Sequence, residues 1–164
     1  MNYINIPLTG KYGFDKFVMV SLEDNEKLEG RRLCCISSGY VMIWNKETAK
    51  AEYLHRWLLN LKKGDKSVVD HIDRNILNCQ MSNLRLGTTS DNMCNRQKNI
   101  INNKCQSKYK GVLLQNGKWT ARVIKDKKTY YLGTFNKELE AAQAYNNKAK
   151  ELHKDYVVLN ILDV

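Results

Sequence analysis

A length of 164 residues suits one ordinary domain or two small ones, and a hydrophobic content of 43% argues against wholesale disorder. A single Pro excludes a Pro-rich linker or a collagen-like chain, and no apolar run approaches the ~20 residues needed to cross a bilayer. With 27 Lys+Arg against 17 Asp+Glu the formal charge is +10, which points to a polyanionic partner, nucleic acid before a membrane surface.

The surplus is spread along the chain: +3 in residues 1–66, +3 in 67–108 and +4 in 109–164. All parts can therefore touch one long anion. The opening MNYINIPLTG has no basic stretch followed by an apolar one, so a cytoplasmic address is expected. The five cysteines (Cys34, Cys35, Cys79, Cys94, Cys105) are odd in number and form no Cys-x-x-Cys pair, which reads as reduced thiols.

In chain order, residues 17–21 predict a strand. Residues 32–36 and 40–44 predict two more, flanking a turn at Ser37-Ser38-Gly39. Residues 51–61 predict a helix, with apolar side chains at 54, 57, 58 and 61. Residues 68–70 and 84–87 predict two short strands around a polar, Asn-rich loop. Thr88-Thr89-Ser90-Asp91 offers caps for a short helix running to about Lys98. A polar stretch over 99–108 is the expected linker.

Beyond it, residues 109–114, 119–125 and 129–135 predict three strands. Asn116-Gly117 is the strongest hairpin signal in the chain. Asn136 is expected to cap a helix over about 137–153, with Leu139, Ala142, Tyr145, Ala149 and Leu152 as its apolar stripe. The pattern is a three-stranded antiparallel sheet packed on one helix. The free face of that sheet must meet solvent or a ligand.

The ordered set Asp70-His71-Ile72-Asp73, then Ser82-Asn83-Leu84-Arg85, then Ser90-Asp91-Asn92-Met93 with Asn95-Arg96 resembles the HNH homing endonucleases. The resemblance implies a ββα-metal catalytic module within an α+β fold. Hydrolysing a phosphodiester needs a base for water and charge stabilisation at the phosphate. His titrates near neutral pH, and a hard divalent ion takes oxygen ligands. By resemblance, His71 is the general base. Asp70 and Asn92 supply metal oxygens for Mg²⁺ or Mn²⁺. Asn83 braces the loop and orients His71. His55, in Leu54-His55-Arg56, matches a His-Arg pair that often precedes the site, and Arg85 and Arg96 are expected phosphate contacts. The family usually has Gly after His-Ile-Asp. Arg74 stands there instead, and either strains the loop or adds a phosphate contact.

A second resemblance covers residues 108–160. It rests on Tyr109-Lys110-Gly111-Val112, Gly117-Lys118-Trp119-Thr120-Ala121, Tyr131-Leu132-Gly133-Thr134-Phe135, Glu140-Ala141-Ala142-Gln143-Ala144-Tyr145-Asn146 and Leu159-Asn160. These are similar to the APETALA-type DNA-binding domain of plant ethylene-response factors, whose sheet lies in the DNA major groove. The implied core face is Val112, Leu114, Trp119, Ala121, Val123, Tyr130 and Leu132. The implied DNA face is Lys110, Leu113, Gln115, Thr120, Arg122, Ile124, Thr129, Tyr131 and Thr134. Leu113, Ile124 and Thr129 stand where the plant domains commonly carry Arg, which implies less guanine readout and more reading of shape. The opening Ile6-Pro7-Leu8-Thr9 resembles the leader found before such HNH modules.

The expectation is therefore a metal-dependent, site-specific DNA endonuclease of the HNH homing type, from a phage or another mobile element. An N-terminal β-hairpin extension and nuclease module would occupy residues 1–98 (core 51–98), with the linker at 99–108 and the DNA-binding domain at 109–160. The expected partner is double-stranded DNA, with no membrane and no small-molecule substrate. A monomer is expected, with a dimer as the alternative. The rival reading is a non-catalytic, sequence-specific DNA-binding regulator with a degenerate HNH module, and Arg74 favours it.

Overall fold

The computed structural model describes residues 2–96, 98 and 107–162. Most of the expected linker, 99–106, lies outside the described residues. The chain divides into two compact units, Met1–Gly87 and Thr88–Val164. Among the described residues there are four small antiparallel sheets and four α-helices, a mixed α/β architecture. No helix is long and apolar enough to cross a membrane.

In the first unit, β1 (Tyr3–Pro7) pairs antiparallel with β2 (Phe17–Ser21). Helix α1 (Leu22–Leu28) follows directly. Sequence reading did not foresee it, because its only apolar residues, Leu22 and Leu28, make no stripe. Acidic Glu23 and Asp24 in its first turn and the Lys27–Asp24 ion pair support it instead. A second sheet has the order β3 (Leu33–Cys35), β4 (Val41–Asn45), β5 (Lys50–Tyr53).

Here the structure corrects the helix expected over 51–61. Residues through Tyr53 form a strand, with Met42 opposite Tyr53 and Trp44 opposite Ala51, and helix α2 is confined to Leu54–Leu58. Pairing with β4 overrides a helical pattern that was sound only from Leu54 onward. The unit closes with β6 (Val68–His71) paired to β7 (Leu84–Gly87).

The core of this unit is Val18, Val20, Leu33, Val41, Ile43 and Leu54, with Cys79 beneath them. Cys79 also fixes the long β6–β7 connection. Its N–H donates to Met19 O at 2.8 Å, and Met19 N–H donates to Leu77 O at 2.8 Å. The Asn-rich loop is thus stitched to β2.

The second unit opens with α3 (Thr89–Cys94). Thr88 and Asp91 form a reciprocal capping box, as the cap residues predict. The helix ends at Cys94, short of the expected Lys98. Strands β8 (Val112–Gln115), β9 (Lys118–Lys125) and β10 (Lys128–Phe135) form a sheet in the order β10-β9-β8. Asn116 and Gly117 carry φ of 50° and 74°, the two left-handed residues a tight hairpin turn needs.

Helix α4 (Glu138–His153) packs Ala141, Ala142, Tyr145 and Ala149 against Val112, Ala121 and Val123. Small residues on the helix let it lie close to the sheet. Its N-cap is Lys137 rather than Asn136. Leu139, expected on the stripe, is 37% exposed, so the buried face is narrower than its pattern suggested.

Candidate active site and recognition face

The β6–β7 pair sets the geometry of the first site. Its register puts Asp70 opposite Arg85 and His71 opposite Leu84. Asp70 is buried, and Arg85 donates to its Oδ2 from Nε at 2.8 Å and from Nη2 at 2.6 Å. His71 ends the strand and is 5% exposed. The chain then turns: Arg74 N–H donates to His71 O at 2.9 Å, and Ile72 N–H to Asn83 O at 2.9 Å. Arg74 takes φ 66°, so the position where the family resemblance implies Gly does require the left-handed region.

Asn83 braces the loop from within. Its Nδ2 donates to Asp73 Oδ1 at 2.9 Å and to Asn78 O at 2.8 Å, and its Oδ1 accepts from Asp73 N–H at 3.0 Å. Asp73 also accepts from Asn78 Nδ2 at 2.7 Å and Asn75 N–H at 2.8 Å. Burial works to raise the Asp73 carboxyl, but the donors Asn78, Asn75 and Asn83 outweigh it and leave it below its ordinary value. Sequence reading missed Asp73 and Asn78 as parts of this clamp. A signal was present, since Asn at spacings of two and five after an Asp is typical of Asx-turns.

A group of rings surrounds His71. The His55 ring lies edge-on to it at 5.4 Å, stacks on Tyr53 at 5.4 Å, and sits 5.4 Å from Tyr40. Tyr40 is 6.4 Å from His71. Nothing in the sequence pointed to Tyr40, which comes from the β3–β4 turn. Burial, then the neighbouring His71 and Arg56, holds His55 down at about 4. Burial also lowers His71, and Asp73 and Asp70 only partly oppose it. Both imidazoles are therefore neutral at pH 7, the form in which a ring nitrogen can accept a proton. The Cys79 thiol, pushed up to about 12 by burial and then Asp73, lies 4.0 Å from His71 Nε2. Arg56 donates to Ser67 O at 2.8 Å and Asp65 O at 3.0 Å, tying α2 to the approach of β6.

The structure thus brings Asp70, His71, Asn83, Arg85 and His55 into one unit. Asn92 lies on α3, in the second unit, and is half-buried; Arg96 is exposed just beyond that helix. Among the described residues no three His, Cys, Asp or Glu side chains gather into a metal cage. The carboxylate of Asp70, in the first unit, and the amide oxygen of Asn92, in the second, are each hard oxygens of the kind a divalent ion takes.

On the second unit's sheet, Gln115, Arg122, Ile124, Thr129, Tyr131 and Thr134 are exposed. Arg122 pairs across the sheet with Tyr131, and Ile124 with Thr129. The Tyr131 hydroxyl hydrogen-bonds Thr134 Oγ1. Two residues of the implied DNA face differ. Thr120 is 7% exposed, covered in the central strand between Leu113 and Thr134. Lys110 turns inward: its Nζ donates to Cys94 O at 2.6 Å and Arg96 O at 2.8 Å, serving the carbonyls at the end of α3. Burial lowers the Lys110 pKa, and Cys94 partly offsets it. A cavity of about 820 Å³ beside α3 is lined by Met93, Cys94, Val112, Leu113, Ile124 and Tyr145, among others.

Residues 52–94, from β5 through α3, match the model of the HNH endonuclease family. That segment contains His55, Asp70, His71, Asn83, Arg85 and Asn92, while Tyr40 and Arg96 lie outside it. Over 115 residues, 67% of the chain, the sequence is 36% identical to an uncharacterized HNH endonuclease of Acanthamoeba polyphaga mimivirus, of which it covers 58%. Two plant proteins of Arabidopsis thaliana are similar over shorter spans. An AP2/ERF and B3 domain-containing transcription factor is 44% identical over 59 residues, which is 35% of this chain and 17% of that protein. An AP2/ERF and B3 domain-containing transcription repressor is 51% identical over 41 residues, 24% of this chain and 11% of that protein. The chain spans less than two thirds of each relative's length. No solved structure matches it.

Proposed function

We propose that this chain is a site-specific, metal-dependent endonuclease of the HNH homing type acting on double-stranded DNA. The observation that carries the reading is His71. It is a buried, neutral imidazole at the end of a strand, next to a carboxylate, on a loop pinned by Asn83. That is the arrangement a water-activating base needs, with its ring orientation fixed before substrate arrives.

In this mechanism His71 accepts the proton of the attacking water. A bound Mg²⁺ or Mn²⁺ would stabilise charge on the scissile phosphate and the departing oxygen. Asp70 and Asn92 are its proposed protein donors. Asn83 keeps the loop from shifting His71 out of line. Arg74, Arg85 and Arg96 hold phosphates, and His55 packs against the base. The division of labour proposed is a nuclease module within 1–98, a linker at 99–108 and a groove-reading module at 109–160. In the latter, Gln115, Arg122, Thr129, Tyr131 and Thr134 meet the DNA. A monomer in the host cytoplasm, encoded by a phage or another mobile element, fits this reading.

One observation favours the rival, a DNA-binding regulator without catalysis. Arg74 occupies a left-handed position where Gly would be unstrained. Cleavage of a supercoiled plasmid library with random inserts, in Mg²⁺, Mn²⁺ or EDTA, separates the two. The nuclease reading expects metal-dependent nicked or linear product, reduced at least ~100-fold in His71→Ala. Binding without cleavage in any metal would establish the regulator instead.

A further inference from the structure

Asp70 is proposed as a metal ligand, yet its carboxylate already has a partner. Arg85 faces it directly across the hairpin, and two of its N–H donors, at 2.8 and 2.6 Å, end on the same oxygen, Oδ2. Asp70 is 3% exposed, so bulk water solvates its carboxylate little. An ionised carboxylate at such depth needs a positive neighbour. Arg85 and a divalent cation are two candidates for one role, and a carboxylate oxygen that accepts two N–H donors has little left for a cation.

We propose that Arg85 is a gate on Asp70. In the free protein the guanidinium occupies Oδ2. It must let go before that oxygen can ligate a cation, and a phosphate of bound DNA is the acceptor that draws it away. The planar fork of Arg matches a phosphate as well as a carboxylate, so the exchange replaces one charge-assisted pair with another. The side chain keeps a 15% exposed edge, from which it can reach an incoming phosphate. The consequence is linkage. A cation is held weakly by the protein alone, and DNA and cation each raise the other's affinity by the same factor. The inference rests on the reading of Asp70 as a metal ligand.

The test is Mn²⁺ binding by the intact chain without DNA, followed through the electron paramagnetic resonance signal of the free ion. Wild type, Arg85→Lys, Arg85→Ala, Asp70→Asn and Lys66→Ala are compared, with thermal unfolding as a check on folding. Removing any nearby positive charge would tighten a cation site by simple repulsion, so Arg85→Lys is decisive. It keeps the charge but has no fork to place two donors on one oxygen. The gate expects Arg85→Lys to bind Mn²⁺ at least about fivefold more tightly than wild type, and Arg85→Ala more tightly still. It expects Asp70→Asn to lose the site and Lys66→Ala to stay within about twofold of wild type. Failure of Arg85→Lys to exceed wild type overturns the gate. That failure is distinct from failure of the nuclease reading, which would appear as a wild type that cuts no plasmid in any metal.

Discussion

The left-handed backbone at Arg74, φ 66°, is the clearest local tension in the candidate site. A Cβ in that region costs on the order of 1 kcal/mol, which Gly avoids, although Gly also loses more entropy on folding. Arg74→Gly is expected to stabilise the protein by about 0.5 kcal/mol, seen as a higher urea midpoint with an unchanged slope. His55 predicts a pH dependence. Its folded value of about 4 lies below the ~6.5 of a free His, because burial, then His71 and Arg56, disfavour its charged form. Above pH 6.5 both folded and unfolded states are neutral there and stability is full. As the pH falls from 6.5 toward 4, only the unfolded chain takes the proton, and stability is lost. By pH 5 the loss is on the order of 2 kcal/mol, and His71 adds to it with the same sign. His55→Gln should flatten the decline between urea titrations at pH 7 and pH 5. At this scale Asp70, His71 and Asn83 were legible as an ordered set. Tyr40 was not, since a ring contact between a turn and a distant strand leaves no local trace.

At the scale of elements, the second unit was the more legible. Strand alternation, the Asn116-Gly117 turn and the alanine-rich face of α4 are local signals, and each agrees with the packing that forms. In the first unit, β5 was hidden inside a helical pattern because its pairing with β4 is a tertiary fact. Two glycines with the same φ of 74° offer a controlled test of packing against backbone strain. A Cβ at Gly111 would fall 2.0 Å from the Tyr145 ring and 2.6 Å from Arg122 O, whereas one at Gly117 would meet nothing within 4 Å. Gly117→Ala should cost only the conformational strain, about 1 kcal/mol. Gly111→Ala should cost at least ~2 kcal/mol more, because β8 and α4 must separate to admit the methyl group. Chemical denaturation of both variants measures the difference.

At the scale of the molecule, the chain divides between Gly87 and Thr88, and α3 belongs to the second unit. Several links hold it there, among them a Val158 N–H that donates to Cys94 O at 3.4 Å. Cys94 Sγ lies 3.1 Å from His153 Nδ1, Lys110 Nζ donates to the carbonyls of Cys94 and Arg96, and Asp126 N–H donates to Ser90 Oγ at 3.1 Å. The division between the units therefore falls ahead of α3, not at the stretch that reads as a linker in the sequence. Its polar composition says nothing of the helix docked ahead of it. A fragment of residues 88–164 should melt cooperatively. A fragment of 109–164 should melt at a lower temperature by circular dichroism, having lost these links.

That placement bears on transplantation. Anyone grafting this sheet onto another protein would be drawn to cut in the Asn- and Lys-rich stretch. Such a cut discards the α3 side of the 820 Å³ cavity, whose lining also includes Val112, Leu113 and Ile124. The graft would carry a sticky apolar flank and a lysine deprived of its acceptors. A cut before Thr88 transplants a finished surface.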